Sequence, residues 1–277
     1  MRKPLLSYLK KNKLAFIALA VVIFMSLGAI VGPMVYPIDS TSIDLGSIKL
    51  PPSLKHPCGT DSKGRDIFSR ILYGARISLF ISLSAVFGSI LIGLFFGLIA
   101  GYCGGKLDTF ITMVIDLTLA FPSLLLAIGI TVVFPPGFYT VIIALALVGW
   151  ASFARLIRGL TIAQKESLFV EASRSIGCSN KRIILRHILP NALSPILVAF
   201  SLKIGSFILA ESALSFLGLG VQPPVPTWGS MISLNRIYIN SAPWMIIFPG
   251  LAIAMTTFAF NILGDSLRDY LDPHLNF

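Results

Sequence analysis

Long apolar runs separated by short polar stretches organise this chain of 277 residues. A membrane-crossing helix needs about 20 mostly apolar residues. Six runs reach or approach that length: 14–36, 77–102, 110–134, 138–153, 192–214 and 244–263. The fourth is short and is closed by Arg155. The third contains Pro122, which bends a helix in a way that membrane spans tolerate. The first follows Lys10, Lys11 and Lys13 in the manner of a signal peptide. Its apolar run is too long for a typical h-region and no A-x-A-like cleavage site follows, so it reads as a retained span. The pattern predicts an all-α integral membrane protein with six transmembrane helices.

Composition excludes the soluble classes. The chain has 55% hydrophobic residues, 12% charged residues and a mean hydropathy of +0.86, whereas soluble domains carry about 25% charged residues. A net charge of +10 would suit nucleic acid. The basic residues instead cluster at the edges of apolar runs, with no basic-aromatic stripe, so the partner is a lipid bilayer and not nucleic acid. Arg2, Lys3, Lys10, Lys11 and Lys13 mark one cluster. Arg155, Arg158, Lys165, Arg174, Lys181, Arg182 and Arg186, against Glu166 and Glu171, mark a second between spans four and five. The positive-inside rule puts both in the cytoplasm, and an even span count puts the C-terminus there too. Residues 37–76 then lie outside by parity, although they hold Lys49, Lys55, Lys63, Arg65, Arg70 and Arg76 with Asp39, Asp44, Asp61 and Asp66. Cys58, Cys103 and Cys178 lack CxxC spacing, and none of His56, His187 and His274 sits mid-span. No disulfide framework or metal site is expected.

The basic stretch 165–190 has helical punctuation. Ser167 can cap a helix in which Leu168, Ala172 and Ile176 recur at helical spacing, with Glu171 near its first turn. Gly177 suits a left-handed helix end. Ser179 or Asn180 then starts a second helix, 181–189, closed by Pro190. From the pattern alone this is either a docking segment or an amphipathic connector lying on the bilayer surface.

A resemblance separates the two readings. Glu171-Ala172-Ser173-Arg174-Ser175-Ile176-Gly177, then Ile184 and His187-Ile188-Leu189-Pro190-Asn191, resembles the EAA loop of ABC importer permeases. His56-Pro57-Cys58-Gly59-Thr60-Asp61-Ser62-Lys63-Gly64-Arg65-Asp66, Ser215-Phe216-Leu217-Gly218-Leu219-Gly220, Pro226-Thr227-Trp228-Gly229 and Phe260-Asn261-Ile262-Leu263-Gly264-Asp265 are similar to stretches of the dipeptide/oligopeptide/nickel permease group, C-type subunit. Phe121-Pro122-Ser123 fits the family as well. Cys58 departs from it, standing where a bulky apolar or aromatic residue is commoner.

The resemblance implies a type I ABC importer permease fold in a bacterial or archaeal inner membrane. Residues 1–75 would form a cytoplasmic tail, the first span and an extracytoplasmic loop, and 76–277 the permease core. Residues 165–190 would couple to the ATPase through Glu171, Ala172, Gly177, Ile184, Leu189 and Pro190. The implied partners are a B-type permease, two ATP-binding cassette ATPases and an extracytoplasmic solute-binding protein. The implied cargo is di- or oligopeptide, with nickel or a metal chelate as the alternative. The chain has no G-x-x-x-x-G-K-[ST] loop, so it is not expected to be the ATPase itself; the resemblance implies a transport subunit that is not an enzyme and holds no cofactor, with ATP bound by its partners.

Asp116, Lys203 and Glu211 are the candidate intramembrane polar residues. Such groups usually face a bundle interior or a water-filled cavity. Asp116 has three roles open to it: lining the pathway, sitting near the inner interface, or pairing with an arginine such as Arg155, which is favoured. Lys203 and Glu211 are about two turns apart, on one face, toward a cavity or the partner permease. Asn261 and Asp265 fix the inner end of the last span, and His187 packs within the coupling segment. A channel or receptor would not explain the 171–190 pattern, and a membrane enzyme would need converging nucleophiles, acids or metal ligands.

Overall fold

The computed structural model describes residues 12–36 and 38–271. Arg2, Lys3, Lys10 and Lys11 lie outside them, as do Asp272, Pro273 and His274. Among the described residues five helices are long and apolar enough to cross a membrane, or six when one bent pair is counted as a span.

Helix α1 (Lys13–Val35) starts at Asn12, whose side chain accepts the Ala15 N–H at 3.3 Å. Helix α2 (Ile67–Cys103) starts ten residues before its apolar run, because Asp66 caps it by accepting the Ser69 N–H at 2.7 Å. Helices α3 (Gly105–Ala120) and α4 (Ser123–Val133) meet at a 93° bend. The run 110–134 is therefore a broken span and not a continuous one. The residue before a proline avoids the helical region, and Phe121 sits in extended backbone (φ −85°, ψ 140°) ahead of Pro122.

Helix α5 (Phe138–Lys165) corrects a second boundary, since it continues well past residue 153. Arg155 ends the apolar run but not the helix. Its charge is met by Asp116 on α3, and that of Arg158 by Asp108. After α6 (Leu168–Ser175), a short α7 (Asn180–Ile183) passes through a π turn (Ile184–Ile188) into α8 (Leu189–Phe216). Pro190 does not close this segment. The Leu189 N–H bonds back to Ile184 O, and the proline occupies the opening of α8, where a missing N–H is tolerated. Asn180–Phe216 is thus one helical rod. Helices α9 (Trp228–Asn235) and α10 (Trp244–Leu271) complete the chain.

At the centre α2 lies against α5. Gly93, Gly97 and Gly101 recur every fourth residue on α2, and a Cβ at Gly97 would lie 2.8 Å from Ala154 O. One at Gly101 would lie 2.8 Å from Arg158 O. Lipid supplies no hydrophobic drive between helices, so close backbone approach through small residues holds such a seam together. Helix α8 packs on α10, and α1 lies at the edge against α2 and α10.

Residues 38–66 fold into a polar cap over the start of α2. Buried Asp61 accepts the Arg65 Nε–H at 2.7 Å, and Arg70 donates to Ser40 O at 2.7 Å. His56 Nδ1 lies 2.8 Å from Asp66 Oδ2. Trp228 and Trp244 donate indole N–H bonds to Ile71 O and Thr60 O, at 3.1 and 3.3 Å. Arg65 and Arg70 are thereby committed within the cap.

Candidate functional site

The segment 165–190 sits at the opposite end of α2 from the cap. Ser167 takes the extended conformation of an N-cap, but its hydroxyl donates backward to Gln164 O at 2.6 Å and does not cap α6. The helix ends as expected. Gly177 has φ +81°, its N–H bonds to Arg174 O at 2.9 Å, and the Cys178 N–H bonds to Ser173 O at 3.0 Å. This pair of bonds defines a Schellman end, which satisfies carbonyls that the helix leaves open.

The apolar positions of α6 divide in an unexpected way. Val170 is fully buried and Ser173 nearly so, while Leu168 and Ile176 are 83% and 80% exposed and Ala172 is exposed. The Leu168–Ala172–Ile176 face foreseen from spacing therefore points away from the body of the protein. Glu171 beside it is exposed, with no side-chain hydrogen bond or ion pair among the described residues.

The inward side is held by residues that spacing did not single out. Val170 joins Ile183, Ile188 and Tyr102 in one apolar cluster, with Ile184 and Cys178 packed on it. Tyr102, in the last turn of α2, donates its hydroxyl to Asn180 Oδ1 at 2.7 Å. The Lys165 ammonium donates to Tyr102 O at 2.6 Å and lies 5.6 Å from the ring centroid; the Arg174 guanidinium lies 5.7 Å from it. One tyrosine thus touches both ends of the segment. An aromatic residue closing a span beside a basic loop was the available signal. Of the remaining coupling candidates, Leu189 is half-buried and Pro190 exposed, while His187 is half-buried and its carbonyl accepts from Asn191.

The intramembrane candidates separate. Asp116 accepts a hydrogen bond from Arg155 on an exposed flank of α3, so the pairing is present. A second pair, unforeseen, lies one level along: Arg158 donates to both carboxylate oxygens of Asp108, at 2.5 and 2.7 Å. Both acids border an open groove of about 630 Å³. Glu211 is fully buried and accepts the Ser215 hydroxyl at 2.7 Å. Lys203 is half-buried above the Phe207 ring, at 5.5 Å, and does not share Glu211's surroundings. Eight residues rotate a helix by about 80° beyond two turns, enough to give the two side chains different neighbours on a packed helix. Asn261 lies against Gly205 on α8, whereas Asp265 is exposed.

Known proteins match this arrangement along its length. A family model described as "binding-protein-dependent transport system inner membrane component" matches residues 93–277, and one for the "N-terminal TM domain of oligopeptide transport permease C" matches 5–52. The dipeptide transport system permease protein DppC of Alkalihalophilus pseudofirmus is 45% identical, over 96% of this chain and 88% of that protein. The oligopeptide transport system permease protein OppC of Bacillus subtilis is 41% identical, over 96% and 87%. The glutathione transport system permease protein GsiD of Escherichia coli O157:H7 is 45% identical, over 96% and 88%. Among solved structures, an inward-facing MetNI methionine ABC transporter aligns with TM-score 0.60 at 17% identity, covering 72% of this chain and 94% of that one. That likeness is one of fold.

Proposed function

Because the chain belongs to the family of binding-protein-dependent transport system inner membrane components, we propose that it is the C-type permease of an ATP-driven importer of short peptides. It is a multi-pass inner-membrane transport subunit. In this reading a B-type permease completes the pathway, two ATPases bind and hydrolyse ATP, and an extracytoplasmic protein delivers the solute. Residues 165–190 and both termini face the cytoplasm. The peptide cargo is supported by the relatives: two carry dipeptide or oligopeptide in their names, and the glutathione of the third is itself a peptide.

One observation carries the mechanism: α6 presents Leu168, Ala172 and Ile176 outward from a segment packed on its other side. An apolar face held out on a fixed mount suits a groove in another subunit. Glu171 and Ala172 contact the ATPase, and Gly177 ends the helix so that the chain returns into α8. Closure of the ATPases on ATP then displaces this segment, and the spans change access as packed bodies.

The test is cross-linking in the assembled complex. Ala172→Cys should form a cross-link to an ATPase subunit, whereas Ser173→Cys, which faces inward, should not. Glu171→Lys should abolish peptide uptake with the protein still inserted. Undiminished uptake by that variant, or labelling of Ala172→Cys only from outside the cell, refutes the assignment.

A further inference from the structure

Lys203 is a cation in the middle of a membrane span with no anion beside it. Among the described residues it makes no ion pair. Three acids on the spans are engaged elsewhere. Glu211 is held by Ser215 inside the bundle, Asp116 by Arg155 and Asp108 by Arg158. A charged side chain at that depth is costly unless it meets water or an opposite charge.

What Lys203 does meet is a cavity of about 130 Å³, several times what one water requires. The cavity lies where the α3–α4 span breaks, with Phe121 on its wall. Thr118, Ser123, Ser152 and Ser206 add hydroxyls to the lining. The side chains of Ser123 and Ser152 make no hydrogen bond among the described residues. A lone ammonium with idle hydroxyls around a small cavity matches the needs of one carboxylate: a counter-charge and donors for its two oxygens. The volume suits the end of a peptide, not its whole length.

We propose that this cavity is a subsite for the C-terminal carboxylate of the passing peptide, with Lys203 as the residue that pairs it and Ser123 and Ser152 as hydrogen-bond donors. The proposal rests on the peptide reading above and adds to it. The permease itself reads one chemical feature common to all unblocked peptides, and leaves the side chains unread. A weak site of this kind guides a solute without trapping it.

The experiment uses the full complex in proteoliposomes, with saturating binding protein and ATP. Initial uptake is measured for a dipeptide and for its C-terminal amide. Wild type is compared with Lys203→Met and Lys203→Arg. Rates are taken as variant-to-wild-type ratios for each peptide, so the binding protein's own preference cancels. Lys203→Met should slow the free-acid peptide roughly tenfold, the loss expected for one hydrogen bond to a charged group, and leave the amide unchanged. Lys203→Arg should keep most of the free-acid rate. Equal ratios for the two peptides, or no effect on either, overturn the assignment. So does loss of the B-type permease on purification of Lys203→Met, which would place the ammonium on an acid of that partner. Failure of wild type to carry either peptide overturns the peptide reading instead, and is scored separately.

Discussion

Removing the Tyr102 side chain tests whether the coupling segment works because it is rigidly mounted. Tyr102→Phe deletes one hydroxyl and its bond to Asn180 Oδ1 at 2.7 Å. A neutral hydrogen bond of this kind contributes about 1 kcal/mol net, so the seated state loses roughly a factor of five relative to a loosened one. Tyr102→Ala removes more. The residue is 8% exposed, is packed with Val170, Ile183 and Ile188, and carries Lys165 and Arg174 near its ring. Truncating a buried aromatic side chain typically costs about 3–5 kcal/mol, and the cation contacts add about 0.5–1 kcal/mol each. That loss falls on the mount of a short segment, while the glycine contacts of the α2–α5 seam are left in place. The assays are hydrogen exchange across residues 166–190 and peptides imported per ATP hydrolysed. Tyr102→Ala should expose the amides of α6 and α7 and uncouple hydrolysis from uptake, with insertion and assembly retained. Tyr102→Phe should give the same pattern at lower amplitude. Unchanged exchange and an unchanged transport ratio in Tyr102→Ala would show that the mount is irrelevant to coupling.

Three further outcomes follow from the geometry. At Gly177, φ is +81° and a Cβ added there would meet no atom within 4 Å, so Gly177→Ala should cost about 1 kcal/mol from backbone strain alone, and Gly177→Asn less; uptake ranking Gly, Asn, Ala checks this, and equal loss in both variants contradicts it. Burial, reinforced by nearby Asp66, pushes the Cys58 thiol up to about 11. The thiol therefore stays protonated below that pH, so maleimide at neutral pH should label exposed Cys103 and leave Cys58 unreacted until the cap is denatured; comparable labelling rates would contradict the folded cap. Arg158→Ala should destabilise the detergent-solubilised protein by about 1.5–3 kcal/mol, with Asp108→Asn adding little to it; additive losses in a thermal-shift double-mutant cycle would show that the two-point pair is unimportant.

How far the sequence could be read depended on the range of the interactions involved. The spans follow from local hydropathy, and the Gly177 end follows from one residue's backbone freedom. Helix limits were less accessible, because a charge such as Arg155 interrupts an apolar run without interrupting a helix when Asp116 waits on a neighbour. Pro190 misled for the opposite reason: a breaker was expected where the proline opens a new helix directly after a π turn. The orientation of α6 could not be read from spacing, since an apolar stripe looks the same whether it faces its own protein or another. Tyr102 and Asn180 lie 78 positions apart, and no local pattern joins them. The Gly93-Gly97-Gly101 repeat is a spacing signal that the hydropathy pattern hid, because three glycines in an apolar run look like any other small residues until a partner helix is known. Lys203 and Glu211 were found as residues but wrongly grouped, because their neighbours come from different helices.

The helical rod from Asn180 to Phe216 gives the molecule a lever. Its 37 residues extend about 55 Å at 1.5 Å per residue, and the segment that carries α6 is fastened to its near tip. Tilting such a beam by about 10° sweeps its far end through roughly 10 Å, so a modest stroke at one membrane face becomes a gate-sized displacement at the other. Lys203 rides on that beam about 35 Å from the tip, so in the mechanism proposed above its swing relative to the broken span would set when the ammonium and the hydroxyls opposite it face each other.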